Sequence, residues 1–212
     1  MRVKFKNNLG YRLTADLFSA GEDTPIVVFS HGLGSGRKSP RSLPISEALL
    51  KKGISSLLLD FTGHGDSEGT AEESTTDQQA ADLGAAVGFL AGKGYERFGL
   101  SGASYGGASA LMCAANEPRV KALVLRYSTM RACFSFKRPC YELAGKIAAP
   151  TLLIVGSLDH PILEENREFL ELLRVPKALH VIPGAVHAFE EPEQIEEAAR
   201  ASLDWYVKHL KA

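Results

Sequence analysis

A serine between two glycines is the residue of this chain best suited to nucleophilic chemistry. Ser104 lies in the segment 102–106, which reads Gly-Ala-Ser-Tyr-Gly and falls between a predicted strand and a predicted helix. A serine in such a turn adopts a strained backbone, and small residues two positions to either side let the strand and the helix approach each other. The pattern predicts a serine nucleophile. The alternative is an ordinary glycine-rich turn in which Ser104 caps the helix.

His187 is the histidine best placed to activate that serine. A serine hydroxyl is a weak nucleophile until a base takes its proton. The chain has six histidines, and the others lie in a predicted strand, in the last predicted helix or in earlier loops. His187 lies in the loop after the last predicted strand, where an imidazole can approach Ser104 from a neighbouring strand end. We therefore predict His187 as the base, with capping of the following helix as the alternative.

Asp159 is the carboxylate predicted to orient His187. It follows the predicted strand 151–156 and precedes His187 by 28 residues. The order Ser, Asp, His along the chain is that of one hydrolase architecture, in which the carboxylate fixes the tautomer of the imidazole. Asp60 and Asp66 lie near the end of an earlier predicted strand and do not fit this order. The alternative role for Asp159 is to cap the helix that follows it.

Two backbone amides are predicted to bind the oxyanion that forms when a serine attacks a carbonyl group. Tyr105 supplies one at the start of its helix. Leu33 supplies the other from the loop 30–36, whose glycines let the backbone turn an N–H inward. The alternatives for this loop are an ordinary strand-to-helix turn or a phosphate cradle. Residues 36–39, Gly-Arg-Lys-Ser, match the phosphate-binding pattern poorly.

The predicted elements bring these groups to one edge of a sheet. Short apolar runs alternate with helical patterns, which is typical of parallel strands buried on both faces and joined by helical crossovers. We predict an α/β fold: a three-layer, doubly wound, mostly parallel sheet with an N-terminal antiparallel hairpin, in a single domain over residues 1–212. Ligands bind such sheets at the carboxyl ends of the strands. The predicted strands are 3–6, 11–18, 26–29, 54–61, 97–101, 120–127, 151–156 and 177–182, and the predicted helices include 45–50, 77–91, 105–115, 164–173 and 192–210.

Composition excludes several classes of protein. The chain has 212 residues, of which 45% are hydrophobic and 23% charged, and its net charge of −1 gives no basic surface for nucleic acid or an anionic membrane. It has no apolar run long enough to span a membrane, and we expect no secretory signal at its N-terminus. Cys113, Cys133 and Cys140 fit no zinc pattern, so reduced thiols in the cytoplasm are expected. A Cys133–Cys140 disulfide is the alternative.

Four motifs in order resemble those of the α/β-hydrolase superfamily. They are His-Gly-Leu-Gly at 31–34, Gly-His-Gly-Asp-Ser at 63–67, the Ser104 turn, and the pair Asp159 and His187. The loop 60–69 is similar to that of cinnamoyl (feruloyl) esterases, monoacylglycerol lipases and related serine peptidases. The resemblance covers nearly the whole chain. It implies that Ser104, His187 and Asp159 form a catalytic triad and that the amides of Leu33 and Tyr105 form an oxyanion hole.

A large cap domain, which many relatives carry, is not expected here. From residue 129 to the next predicted strand there are only 22 residues, 129–150, at the point where a cap would be inserted. Phe134, Phe136 and Tyr141 in this segment are predicted to line one wall of an open site. His31 and Gly32 are predicted as further substrate contacts.

These observations lead to the expectation of a cytoplasmic serine hydrolase that cleaves small or short-acyl carboxylic esters through an acyl-enzyme. Neither a metal nor an organic cofactor is implied. The partner is a small-molecule ester, with no nucleic acid and no membrane insertion. A homo-oligomer stays open, because a partner subunit could supply the missing wall of the site. The alternatives are a peptidase or thioesterase with the same triad, or a binding protein on an inactive hydrolase scaffold.

Overall fold

An eight-stranded sheet forms the centre of the fold. The computed structural model describes residues 1–131 and 140–211 of the chain. Its strands are β1 (Arg2–Lys6), β2 (Arg12–Phe18), β3 (Ile26–Ser30), β4 (Ser55–Leu59), β5 (Phe98–Ala103), β6 (Val120–Arg126), β7 (Thr151–Gly156) and β8 (Lys177–Ile182). The helices are α1 (Leu43–Lys51), α2 (Thr76–Ala91), α3 (Tyr105–Asn116), α4 (Ile162–Leu172) and α5 (Pro192–Leu210), with 3₁₀ turns at Ala71–Glu73 and Cys140–Lys146.

The strand order is β1-β2-β4-β3-β5-β6-β7-β8. The strands from β4 to β8 in this order pair in parallel, whereas β1, β2 and β4 pair antiparallel. The N-terminal hairpin turns where Gly10, with φ of +83°, donates its N–H to the carbonyl of Asn7 at 3.1 Å. The structure thus confirms the predicted α/β class, the mostly parallel sheet and the antiparallel hairpin at its edge.

Two apolar clusters separate the sheet from the helices on its two faces. The alternation within β3 shows the principle: Ile26 and Val28 belong to one cluster, and Val27 and Phe29 belong to the other. Neighbouring side chains of a strand point to opposite faces, so a strand buried on both sides needs apolar residues throughout. The first cluster takes side chains from α2, α3 and α4, including Leu83, Leu111 and Phe169, and the second takes side chains from α1 and α5, including Ile45, Leu49 and Tyr206.

Several predicted boundaries are wrong by one or two residues, and two of them have clear local reasons. The strand predicted at 54–61 ends at Leu59, because the chain turns and His64 donates its N–H to the carbonyl of Phe61 at 2.9 Å. Helix α1 begins at Leu43 rather than at 45, since a proline occupies its first turn, where the fixed φ of proline favours helix initiation.

The connection between β6 and β7 is short, as predicted. Its described part contains the 3₁₀ turn Cys140–Lys146, and the described residues form no cap domain. The predicted wall residues Phe134 and Phe136 lie outside the described residues, as does Cys133. None of the helices in the described ranges is both long enough and apolar enough to cross a membrane.

Candidate active site

Ser104 lies in the turn between β5 and α3, in a backbone conformation that residues other than glycine rarely adopt. Its φ is 50° and its ψ is −122°. A Cβ added to Gly102 would lie 2.6 Å from the Cα of Gly107, and one added to Gly106 would lie 2.2 Å from the carbonyl oxygen of His31. Strand, helix and a neighbouring loop therefore meet around Ser104 at distances that only glycine allows.

A continuous hydrogen-bond chain joins Ser104, His187 and Asp159. The Oγ of Ser104 lies 3.0 Å from Nε2 of His187, and Nδ1 of His187 lies 2.9 Å from Oδ2 of Asp159. The carboxylate can only accept from Nδ1, so the neutral ring has its proton on Nδ1 and can accept the serine proton at Nε2. The Asp159 side chain is buried, whereas that of His187 is 45% exposed. The arrangement can transfer a proton from Ser104 to an imidazole that solvent and small molecules can reach.

The loops after β7 and β8 hold the carboxylate and the imidazole together. Leu158 donates its N–H to the carbonyl of Ala185 at 2.9 Å, and Gly184 donates its N–H to the Ser157 hydroxyl at 2.8 Å. A Cβ on Gly156 would lie 2.2 Å from the Ala185 carbonyl oxygen. The close approach of the two loops is therefore built into the backbone on both sides.

Tyr127, for which the sequence analysis predicted no role, packs against His187. The two rings meet edge-on with centroids 5.1 Å apart, and Phe189 meets Tyr127 in the same manner at 4.8 Å. Five non-glycine residues of the described chain have positive φ, and four of them lie here: Ser104, Tyr127, Ala188 and Phe189. Strained backbone is characteristic of functional sites. No short pattern in the sequence signals this ring contact.

Two arginines for which the sequence predicted no role support the loop after β8, one directly and one indirectly. Nε of Arg41 donates to the carbonyl of Ala188, the residue after His187. The buried Arg126 at the end of β6 donates to the carbonyl of Arg41 at 2.8 Å. The Arg126 side chain thus holds the backbone of Arg41, and the Arg41 side chain in turn binds the loop that contains His187.

Gly32, the residue before Leu33, lies beside Ser104. A Cβ on Gly32 would be 3.4 Å from the Cβ of Ser104. The Gly32 carbonyl accepts from the Ser35 N–H at 3.2 Å and lies 2.9 Å from Nδ1 of His31. In a trans peptide the N–H points away from the C=O, so the Leu33 N–H is directed away from the His31 ring. Tyr105 occupies the first position of α3, directly after Ser104.

His31 lies inside the protein rather than at its surface. Only 3% of the residue is exposed, and its Nε2 accepts the N–H of Phe61 at 3.3 Å, which leaves Nδ1 to donate to the Gly32 carbonyl. Burial, and to a smaller extent the neighbouring His64, lowers the pKa of His31 to about 4. The ring is therefore neutral around pH 7. It faces the loop backbone, and its role as a substrate contact stays a prediction, as does that of Gly32.

Tyr141, the third aromatic residue predicted for the wall of the site, is tied to α4. Its hydroxyl donates to the carboxylate of Glu168 at 3.0 Å, and its ring meets Phe169 edge-on at 6.2 Å. Its contact with substrate stays a prediction. In the described ranges, no group of three or more His, Cys, Asp or Glu side chains could hold a metal ion. Burial raises the pKa of the Cys113 thiol to about 12, which disfavours the reactive thiolate.

Comparison with known proteins places this geometry in context. A family model described as alpha/beta hydrolase fold matches residues 25–138. A dienelactone hydrolase from Anabaena variabilis is 31% identical, with a TM-score of 0.84 over 99% of this chain and 97% of that one. The esterase Est1E from Butyrivibrio proteoclasticus, solved with ferulic acid bound, is 19% identical, with a TM-score of 0.89 over 99% of this chain and 100% of that one.

A curated relative from Mycobacterium tuberculosis (strain CDC 1551 / Oshkosh) bears the name of a candidate phosphoribosyl transferase. It is 36% identical over 192 residues, which cover 87% of this chain and 41% of the relative. The chain thus spans about two fifths of the length of the curated relative that it matches, and the name describes that longer protein.

Proposed function

The chain belongs to the α/β-hydrolase fold family, and from that premise we propose that it is a serine hydrolase that cleaves carboxylic esters through an acyl-enzyme. The observation that supports the proposal is the hydrogen-bond chain from the Ser104 hydroxyl through His187 to the buried Asp159 carboxylate. A base within hydrogen-bond reach of a hydroxyl, itself oriented by a third group, is the arrangement that nucleophilic catalysis by serine requires.

In the proposed acylation, Nε2 of His187 takes the proton of Ser104 while Oγ attacks the ester carbonyl carbon. Asp159 stabilises the imidazolium that forms and holds the ring in place. The tetrahedral oxyanion is bound by the N–H groups of Leu33 and Tyr105, the second of which benefits from the positive end of the α3 dipole. The intermediate then collapses, and His187 gives its proton to the departing alcohol.

Deacylation repeats the sequence with water as the nucleophile. His187 takes a proton from the water molecule as it attacks the acyl carbon, and it returns that proton to Oγ of Ser104 as the acid leaves. The exposed fraction of the His187 side chain, 45%, gives water a direct approach to Nε2. Each proton taken up in one half-reaction is released in the same half-reaction, so the enzyme is regenerated unchanged.

Small esters, including cyclic ones, are the substrates we propose to test first. The short connection after β6 favours small esters, because little of the described chain can cover the reacting groups. The dienelactone hydrolase similarity adds lactones, which are esters whose alcohol and acid belong to one molecule. Localisation in the cytoplasm and a single-domain organisation remain proposals from the sequence.

Two experiments on the purified protein test the proposal. A fluorophosphonate probe should label wild-type protein on Ser104, as mapped by peptide mass spectrometry, and should not label Ser104→Ala. A panel of p-nitrophenyl acetate, a simple lactone, an acyl-CoA and an aminoacyl p-nitroanilide should show ester hydrolysis that Ser104→Ala abolishes. Faster turnover of the acyl-CoA or the anilide would reassign the leaving group to a thiol or an amine. A folded protein that neither reacts with the probe nor hydrolyses any substrate would instead be a binding protein on an inactive scaffold.

A further inference from the structure

Two consecutive residues after β4 hold both ends of the loop that carries Leu33. We call residues 31–37 the β3 loop and residues 60–67 the β4 loop. At the first end, Phe61 donates its N–H to Nε2 of His31 at 3.3 Å. At the other end, Oδ1 of Asp60 accepts the N–H of Arg37 at 2.8 Å. The β4 loop therefore touches the β3 loop on both sides of the amide proposed for the oxyanion hole.

Asp60 makes more hydrogen bonds to the two loops than Phe61 does. It is almost fully buried, with 1% of the residue exposed. Its Oδ2 accepts the N–H of Asp66 at 3.0 Å and also binds the guanidinium of Arg37. The Asp60 carbonyl accepts from the Ser67 hydroxyl at 2.6 Å. One carboxylate thus organises its own loop and the neighbouring loop together.

Each loop provides a glycine where it passes the Asp60 carboxylate. A Cβ on Gly36 in the β3 loop would lie 2.7 Å from Oδ1, and a Cβ on Gly65 in the β4 loop would lie 2.1 Å from Oδ2. Gly65 also has a φ of +53°, which favours glycine. The backbones of both loops are therefore shaped around this carboxylate.

Arg37 balances the buried negative charge and extends the cluster to the hairpin. Its side chain is 4% exposed, and it binds Asp66 at 2.5 Å and Asp16 of β2 at 3.1 Å in addition to Asp60. Burying ion pairs costs solvation free energy, so such a cluster is weak evidence for stability and is better explained by the geometry it enforces. Here it fixes the far end of the β3 loop.

We propose that Asp60 is a positioning residue for the oxyanion hole: by binding Arg37 through backbone and side chain, it sets where the Leu33 N–H lies relative to Ser104. The inference rests on the proposed serine hydrolase function. It also assigns a role to the Gly-His-Gly-Asp-Ser motif, whose backbone gives the Asp60 carboxylate its space and its second amide donor. Within the described chain, the hydrogen bonds and ion pairs of Asp60 include neither Ser104 nor His187.

Loss of this carboxylate should weaken stabilisation of the transition state more than binding of the ground state. In Asp60→Asn the amide can still accept one N–H, but the charge opposite Arg37 and one acceptor are lost. A shift of about 1 Å in a catalytic donor can reduce the rate about 100-fold. We therefore expect kcat for p-nitrophenyl acetate to fall about 10- to 100-fold, with KM changed less than about threefold.

Asp82→Asn is the matched control. Asp82 of α2 is equally buried and binds the same β4 loop, accepting the N–H and the hydroxyl of Thr62, both at 2.8 Å. Its hydrogen bonds in the described chain include no residue of the β3 loop. Its loss should lower the melting temperature while kcat per active site stays within about threefold of wild type. Active-site concentration is measured with the fluorophosphonate probe, so unfolded protein does not enter the rate.

A trifluoromethyl ketone inhibitor separates positioning from general destabilisation. Its hemiketal with Ser104 carries an oxyanion, so its Ki depends on the Leu33 amide, and Ki should rise in Asp60→Asn by about the same factor as kcat falls. Equal loss of kcat in Asp82→Asn, or an unchanged Ki and kcat in Asp60→Asn, would overturn the inference. If Asp60→Asn does not fold, Arg37→Lys carries the test, with the same direction expected for both quantities. A wild type that lacks esterase activity would refute the proposed function itself.

Discussion

At the scale of single residues, the site depends on side chains whose environments fix their protonation and direction. Asp159 is buried and leaves only Nε2 of His187 for Ser104, and His31 is buried with each ring nitrogen engaged by backbone. These two histidines differ in exposure: the His187 side chain is open to solvent, whereas His31 is buried at the start of the loop that carries Leu33. We propose that His187 exchanges protons with a substrate, whereas His31 keeps one tautomer.

The buried His31 predicts a specific loss of stability in acid. Its pKa is about 4 in the folded protein, against an ordinary value of 6.5, so the unfolded chain takes up this proton first as the pH falls. The contribution of His31 to the free energy of unfolding should therefore decrease by about 3 kcal/mol between about pH 6.5 and pH 4, then stay constant below it. Urea unfolding at several pH values measures this decrease.

The variant His31→Gln should unfold with a shallower dependence on pH over the same interval. If His31→Gln retains the wild-type slope, the acid sensitivity of the protein originates elsewhere.

At the scale of elements, the junction of β5, α3 and the β3 loop decides where the serine points. This junction requires small residues because the backbones lie too close together to leave room for a side chain. The closest approach is that of the His31 carbonyl to Gly106. We expect Gly106→Ala to lower the free energy of unfolding by about 3 kcal/mol, since the new methyl group meets rigid backbone. It should also lower kcat, because the displaced carbonyl begins the loop that carries Leu33.

Gly84→Ala on α2 is the control for that substitution. Nothing lies within 4 Å of a Cβ at Gly84, so alanine should raise stability by about 0.5 to 1 kcal/mol through its higher helix propensity. Urea denaturation of both variants measures the difference. Equal effects of the two substitutions would mean that the junction is less tightly packed than its distances indicate.

Elements with strong local signals could be predicted from sequence to the residue. The bounds of β7, β8 and α5 agree with the prediction, since apolar runs and a proline at the helix start define them. Ser104, Asp159 and His187 could be singled out because each follows a predicted strand. The bond from Arg41 to Ala188 joins residues 147 positions apart, and that from Arg37 to Asp60 joins residues 23 apart. Such contacts depend on how loops meet in space, which no local pattern encodes.

At the scale of the whole molecule, the described part of the chain leaves Ser104 and His187 at an edge of the sheet with little structure over them. Within the described residues, the connection after β6 adds only the turn Cys140–Lys146 above the sheet. Each methylene group that a site buries contributes about 0.8 kcal/mol, so selectivity for long acyl chains requires a second apolar wall. The value of kcat/KM for p-nitrophenyl esters should therefore peak between two and about six acyl carbons. A maximum at twelve carbons or more would show that a long-chain site exists, and the oligomeric state would then show whether a second copy forms it.

We propose that Ser104, His187 and Asp159 act as one catalytic unit. The decisive measurement is kcat for p-nitrophenyl acetate in Ser104→Ala, Asp159→Ala and the double variant, each corrected for folded protein by circular dichroism. We predict that Ser104→Ala lowers kcat by about 10⁴- to 10⁶-fold, that Asp159→Ala costs somewhat less, and that the double variant is no slower than Ser104→Ala alone. Near wild-type turnover in Ser104→Ala, or losses that multiply in the double variant, would show that the three residues do not act as one unit.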